Sequence, residues 1–296
     1  MLSFQDITVQ DMPVFDAWLR THDFIGSHYN FATIYLWAKQ YQQLWCRYEN
    51  WILVETPDSY GYPMGDGDLR PPVLAMEEHA RASGRPFVLW GMDDGEKAAL
   101  EEAFPGRFRY EAPRDYFDYV YDAQKLATLA GKKLHAKRNF VNRFEKEHPD
   151  WTFEPITPDN MEEVRQMNKV WEQLNDWGHD LSLQEEISAI HRMFRHYDEM
   201  DFTGGLLRAE GRVVAYSVAS PLGTRAFDIH LEKAYYDVAG AYPTINREMV
   251  RHILEKYPQV EFINREDDNG DDGLRKSKLS YYPDLLLRKW TAAWVD

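Results

Sequence analysis

The feature that most narrows the fold is an internal echo. Phe4-x-x-Ile7-Thr8-x-x-Asp11-Met12 recurs as Phe153-x-x-Ile156-Thr157-x-x-Asn160-Met161. Arg47-x-Glu49-Asn50-x-Ile52-Leu53 is answered by Arg208-x-Glu210-Gly211-x-Val213-Val214, and Pro72 with Glu77 by Pro243 with Glu248. Each match is short, but all keep their order and their expected element type. A chain of 296 residues therefore reads as two copies of one unit.

The elements are clearest in the second copy. Met161, Val164, Met167, Trp171 and Leu174 keep helical spacing, as do Ile187, Ile190, Phe194 and Tyr197. Gly204–Ala209 and Arg212–Ala219 are strands joined by Glu210-Gly211, a pair suited to a tight hairpin, and Arg225–Ala234 completes a meander. Pro243 opens a helix with Ile245, Met249 and Ile253 on one side, and Val260–Asn264 is the next strand. The first copy repeats this order with helices in Val14–Arg20 and Asn30–Lys39, a hairpin through Leu44–Val54, a helix near Pro72–Ser83 and a strand at Phe87–Trp90. The expected class is α/β (α+β), with units at residues 1–122 and 151–296 and a connecting helix within 123–150.

A hydrophobic share of 44%, including 10 Trp, 18 Tyr and 15 Phe, suffices for two cores. Cys46 is alone, so no disulfide framework or cysteine-rich zinc site can form within the chain. With no secretory leader and no run of about 18 apolar residues, a reducing cytoplasmic setting and no transmembrane segment are expected. The net charge of −15 disfavours broad nucleic-acid binding by long-range attraction, although a local basic patch can still hold phosphates.

Such a patch exists. Lys125, Lys132, Lys133, Lys137, Arg138, Arg143 and Lys146 crowd into Asp122–His148. At roughly 100° per residue, Leu134, Phe140, Val141 and Phe144 form one helical face, and Lys132, His135, Asn139, Asn142, Arg143 and Lys146 the other. Lys133 and Lys137 fall on the phenylalanine side, so either their stems snorkel or their ammonium groups face an anion. Lys132, Lys133, Lys137, Arg138 and Arg143 are thus candidate phosphate-binding residues, with Lys133 and Lys137 expected to point into an inter-domain cleft. The alternative is a solvated basic face.

The element order of each copy is that of the acyltransferase fold typified by the GCN5-related N-acetyltransferases. The segments KKLHAKRNFVNRF and FINREDDNGDDGLRKSKLSYYP resemble the C-terminal domain of bacterial lysylphosphatidylglycerol synthases and its free-standing relatives of unassigned function, a family built from two such folds in tandem. Those synthases move an amino acid from aminoacyl-tRNA to a lipid headgroup. The resemblance therefore implies aminoacyl transfer to an amine or hydroxyl acceptor, with the acceptor end of an aminoacyl-tRNA as partner and no cofactor.

On Phe227–Glu232, period-two alternation places Asp228, His230 and Glu232 on one face. A carboxylate or imidazole there could take the proton of an attacking nucleophile, and an exposed polar sheet face is the other reading. Glu232 resembles an Asp in the synthases' equivalent strand, which makes Glu232, with His230, the candidate base. Lys276-x-Lys278 resembles a Lys-x-Lys near the end of the synthase domain, and a related lysine recurs in the peptidoglycan-building Fem transferases. Lys278 is thus a candidate to stabilise the oxyanion or hold a tRNA phosphate. Asn264, Arg265, Arg275, Lys276 and Tyr281 are the remaining candidate binding residues.

Two further functions stay open. An acyl-CoA-dependent N-acyltransferase would present Gln/Arg-x-x-Gly-x-Gly/Ala, whereas this chain has Asp237-Val-Ala-Gly240-Ala-Tyr242, in which Asp237 would repel a pyrophosphate and Tyr242 crowds the last position. A degenerate fold that only holds an anionic ligand would not need Glu232. No metal site is expected: a calcium loop beginning at Asp267 fails at Asp272, where glycine is required, and at Lys278, where glutamate is.

Overall fold

A computed structural model describes residues 2–174 and 181–295. The first half runs β1 (Gln5–Asp6), α1 (Met12–Leu19), α2 (Phe31–Trp37), β2 (Leu44–Tyr48), β3 (Trp51–Glu55), β4 (Tyr60–Gly61), α3 (Arg70–Ala82), β5 (Val88–Met92), α4 (Asp94–Ala103) and β6 (Phe108–Glu111). Then come β7 (Asp118–Asp122), α5 (Ala123–Thr128) and α6 (His135–Glu147). The second half is β8 (Thr152–Pro155), α7 (Met161–Leu174), α8 (Leu181–Arg195), β9 (Thr203–Ala209), β10 (Arg212–Leu222), β11 (Ala226–Ala234), α9 (Ala241–Lys256), β12 (Phe262–Asn264), α10 (Asp272–Leu279), β13 (Leu285–Leu287) and β14 (Trp290–Trp294).

The duplication is visible in the sheets. One has the order β1-β2-β3-β4-β5-β14-β6 and the other, read in the same sense, β8-β9-β10-β11-β12-β7-β13. In each, the fourth and fifth strands are parallel (β4 with β5, β11 with β12) and the neighbours beyond them antiparallel. The first echo has a physical cause. The Asp11 carboxylate accepts the Thr8 N–H at 2.7 Å and the Asn160 side-chain oxygen accepts the Thr157 N–H at 2.8 Å, so each copy turns from its first strand into its helix by the same bond. The second echo marks the two hairpins: Glu49 and Glu210 both adopt a left-handed φ, of 52° and 51°, at their tight turns. Pro72 and Pro243 lie in the first turns of the equivalent helices α3 and α9.

The expected boundaries do not follow the sheets. β7 completes the second sheet and β14 the first, so each half lends its partner one strand. The two crossings meet at a buried ion pair. Lys289, the residue before β14, places its ammonium 2.6 Å from Asp118, the first residue of β7, and 3.0 Å from Asp267. Asp118 also accepts from the Ser27 N–H (2.8 Å), the Ser27 hydroxyl (3.0 Å) and the Asn264 amide (2.8 Å). A continuous apolar core crosses the same junction, with Phe15, Phe31 and Tyr35 of the first half in one cluster with Ile190, Tyr197 and Tyr216 of the second. Among the described residues, no helix is long and apolar enough to cross a membrane.

The basic segment differs from its expected geometry. Its helix begins only at His135, so Lys132 and Lys133 lie in the preceding turn, exposed. Leu134, Val141 and Phe144 are buried as anticipated, but Phe140 is half exposed. The buried side chains pin α6 to α9 within the second unit rather than in a cleft between the halves, and each contributes about 1.5–3 kcal/mol. The closest approach is at Gly240, the left-handed N-cap of α9 (φ 86°), where any Cβ would run into the Phe140 carbonyl.

Burial by itself would raise the Asp118 carboxyl. The Lys289 ammonium overrides this and holds it below the usual range, while Lys289 is raised in return despite its own burial. The carboxylate's contribution is therefore present above its unfolded pKa near 4 and lost as pH falls through the lower folded value. The lysine's contribution is full below about 10.4 and lost only in stronger alkali. Lys289→Met should cost about 3–5 kcal/mol at pH 7, because a buried carboxylate loses its cation. Asp118→Asn added to it should recover part of that loss. Urea unfolding of the two variants checks both statements.

Candidate active site

β11 and β12 pair only over Ala226–Asp228 and Phe262–Asn264. Beyond Asp228 and Asn264 the two strands separate. Among the described residues, β11 continues to Ala234 paired with β10 alone, whose register shifts between Val218 and Ala219, opposite His230. Such a bulge adds local twist and turns the strand away from its other neighbour. On the β12 side the chain bends at once: the Asn264 side-chain oxygen accepts the Glu266 N–H at 2.7 Å, and Glu266 has a φ of 55°. Side chains of the Asp228-His230-Glu232 face bridge the resulting gap in two layers. The face is buried and not solvated.

The outer layer centres on Glu232. One carboxylate oxygen accepts from Arg265 at 2.9 Å and the other from Asn246 of α9 at 2.8 Å. Both Glu232 and Arg265 are about nine-tenths buried. The Arg265 guanidinium lies 4.8 Å from the Tyr281 ring centre, and the Lys137 ammonium, reaching in from α6, lies 4.0 Å from the same ring. Burial lowers the Lys137 ammonium to about 8, with Arg265 adding to the effect and Glu232 opposing it. Two buried polar atoms here lack partners among the described residues, Arg265 Nη1 and Asn246 Oδ1. A donor and an acceptor thus remain free beside a carboxylate and an amine.

The inner layer holds His230. Its Nδ1 is 3.3 Å from Glu266 and 3.8 Å from Asp228, and its Nε2 is 2.8 Å from the Ser220 hydroxyl. Burial raises the Asp228 carboxyl. It acts in the opposite sense on the imidazole, which the two carboxylates nevertheless hold above its ordinary value.

The other expected site residues have different tasks. Lys278 does not face the gap. Its buried ammonium donates to the backbone carbonyls of Arg265 (2.6 Å) and Asp267, and so holds the turn that presents Arg265. Asn264 is spent on Asp118, on the Ile25 carbonyl (2.7 Å) and on Glu266. Arg275 pairs with Asp115 and Asp268, at 2.6 and 2.7 Å, on the far side of that turn. Arg138 donates to the Leu129 and Gly131 carbonyls and closes the end of α5, whereas Arg143 pairs with Glu147 one turn on, at 2.7 Å. Lys132 and Lys276 are exposed, and Lys133 lies 5.3 Å from the ring centre of Tyr282. Of the thirteen, Glu232, Arg265, Lys137 and Tyr281 converge, with His230 one layer below.

Sequence reasoning missed Asn246 and Glu266. A polar residue beside the apolar row Ile245, Met249 and Ile253 was the available signal for Asn246. Glu266 carried none, because its approach to His230 depends on how β11 and β12 separate.

Comparison with known proteins agrees with this architecture. The family described as phosphatidylglycerol lysyltransferase, C-terminal, matches residues 20–293. A conserved protein of unknown function from Bacteroides thetaiotaomicron is 33% identical and superposes over 100% of both chains with a TM-score of 0.94. The C-terminal domain of a putative lysylphosphatidylglycerol synthetase from Agrobacterium fabrum is 17% identical, with a TM-score of 0.68 over 97% of this chain and 92% of that one. For L-PGS from Bacillus licheniformis the values are 16%, 0.63, 96% and 91%. An uncharacterized protein from Mycoplasmoides gallisepticum is 24% identical over 180 residues, 58% of this chain, and the match spans about half (54%) of that protein's length. The fold is that of two tandem GNAT-like acyltransferase units.

Lys278→Met should leave two partly buried carbonyls unpaired, at most about 1–3 kcal/mol each, and lower the thermal midpoint, whereas Lys276→Met on the exposed side of the same helix should leave it unchanged. Calorimetry of the two variants side by side separates the roles. An unchanged midpoint in Lys278→Met would remove the structural task assigned to this lysine.

Proposed function

Because the chain belongs to the phosphatidylglycerol lysyltransferase C-terminal family, we propose that it transfers an aminoacyl group from the 3′ end of an aminoacyl-tRNA to an amine or hydroxyl acceptor. The observation that carries this reading is the convergence of Lys137, Glu232 and Arg265, from three separate elements, around two unpartnered buried polar atoms.

In such a transfer the acceptor nitrogen or oxygen attacks the ester carbonyl. A new C–N or C–O bond forms, the bond to the ribose oxygen breaks, and that oxygen leaves with a proton. The attack needs a proton acceptor on one side and a positive donor at the carbonyl oxygen on the other. Lys137, lowered to about 8, is matched to the first task near neutral pH. Arg265 suits the second: it is buried, held in place by Glu232, and has Nη1 free. Glu232 has both oxygens engaged, one by Arg265 and one by Asn246, which makes it an anchor for Arg265 and for a substrate ammonium rather than the base.

The surroundings support a nucleic-acid donor over acyl-CoA. Lys132, Lys133, His135, Arg143 and Lys146 are exposed along and just before α6, the helix that delivers Lys137. On a chain of net charge −15 this is where phosphates would be held. The N-terminus of α9, where a pyrophosphate would require bare N–H groups, has the α6 backbone packed against Gly240.

The test is to incubate the protein with radiolabelled aminoacyl-tRNA pools and a cell extract as acceptor source, with labelled acetyl-CoA in a parallel arm. Label should leave the tRNA into a new product. The rate should rise with pH through about 8, because the base acts when deprotonated, and Lys137→Met should lose this limb and about 100-fold or more in rate. Label leaving acetyl-CoA but not tRNA would refute the reading.

A further inference from the structure

We propose that Asp228, His230 and Glu266 bind a divalent transition-metal ion, Zn2+ or Mn2+, which ties β11 to the turn after β12 just where the backbone pairing of the two strands ends. One donor atom from each residue lies within 4.8 Å of the others. Donors about 2.0–2.2 Å from a shared ion stand at most roughly 4.4 Å apart, so closure needs a movement of only a few tenths of an ångström.

Three independent features favour an ion here. The first is an under-satisfied carboxylate: Asp228 is fully buried, its Oδ2, 3.8 Å from His230 Nδ1, accepts from Thr33 (3.1 Å) and Asn30 (3.4 Å), and its Oδ1 has no partner among the described residues. Such an atom costs about 1–3 kcal/mol unless something occupies it. The second is charge. Among the described residues, no lysine or arginine pairs with Asp228 or Glu266, whose shared ion-pair neighbour is His230. The nearby cations are committed, Lys289 to Asp118 and Asp267 and Lys278 to two carbonyls. A divalent ion with a neutral imidazole would balance both carboxylates. The third is the orientation of the ring. Nε2 faces the Ser220 hydroxyl, which is itself held by Asn30 at 2.9 Å. With Nε2–H donating to Ser220, an ion would take the Nδ1 lone pair in place of the present Nδ1 hydrogen bond to Glu266 (3.3 Å), the usual way in which an outer hydrogen bond sets the tautomer of a metal-binding histidine.

One imidazole with two carboxylates is a donor set for zinc or manganese rather than for magnesium or calcium, which prefer all-oxygen surroundings. The outer partners Asn30 and Thr33 come from the start of α2, so the ion would also join the two halves. This inference does not depend on aminoacyl transfer. Its readout is binding.

The experiment uses the full chain without a histidine tag, stripped with EDTA and titrated calorimetrically with Zn2+ and, separately, Mn2+. One ion per chain should bind and raise the melting temperature. Ser220→Ala should weaken binding about 10–100-fold, and His230→Gln and Glu266→Gln by at least about 100-fold. In the wild-type protein, Mn2+ should broaden the ring resonances of His230 before those of the other histidines, a measurement that does not require any variant to fold. No stoichiometric binding, or broadening centred on another histidine, would overturn the proposal and leave a protonated His230 as the sole counter-charge of the two carboxylates.

Discussion

The structure depends on the buried ion pair between Asp118 and Lys289. The chain crosses from one sheet to the other twice, between β6 and β7 and between β13 and β14, and these two residues sit where the crossings meet. Taking both charges out of water is costly, and the pair is tolerable only because the remaining lone pairs and protons are met by Ser27, Asn264 and Asp267. The arrangement makes the two halves inseparable. Each sheet is completed by a strand of the other half, so neither is a domain on a linker.

The same pair reaches the site. Asn264, which donates to Asp118, is the last β12 residue paired with β11, and its side-chain oxygen caps the bend that turns Glu266 back across the gap. Lys278 holds the carbonyls of this bend from below. Where the backbone ladder stops, side chains take over: His230 with Glu266 in the inner layer, Glu232 with Arg265 in the outer one. A sheet that separates in its interior must satisfy its polar groups by other means. Here the means are charged side chains with a few atoms left unpaired, and those atoms are where a ligand has most to gain.

The packing of α6 on α9 connects surface to site. Val141 and Phe144 fasten the helix, Gly240 lets the two backbones approach, and Lys137 is thereby carried over Tyr281 toward Glu232 and Arg265. A single helix so presents a basic outer face and one partly desolvated amine inside, and the same contact covers the helix N-terminus that an acyl-CoA pyrophosphate would use.

How much of this was legible beforehand follows from the range of each interaction. The duplication, the strand and helix order, the alternation of Asp228, His230 and Glu232, and the apolar stripe through Leu134, Val141 and Phe144 all depend on residues within a turn or a hairpin of one another, and the sequence alone determined them. It also singled out Lys137, Arg265 and Tyr281 as candidates, but not their partners. Only the tertiary structure decided that β7 and β14 change places, because strands of equivalent pattern fit either sheet and a buried ion pair between residues 118 and 289 leaves no local trace. It decided likewise that Lys278 supports the turn while Lys137 enters the site: both are lysines near a helix end, and what separates them is whether the ammonium finds backbone carbonyls or an aromatic face beside a carboxylate. A side chain's chemistry is written in its sequence, but its solvation and charge partners come from chain segments far removed along it.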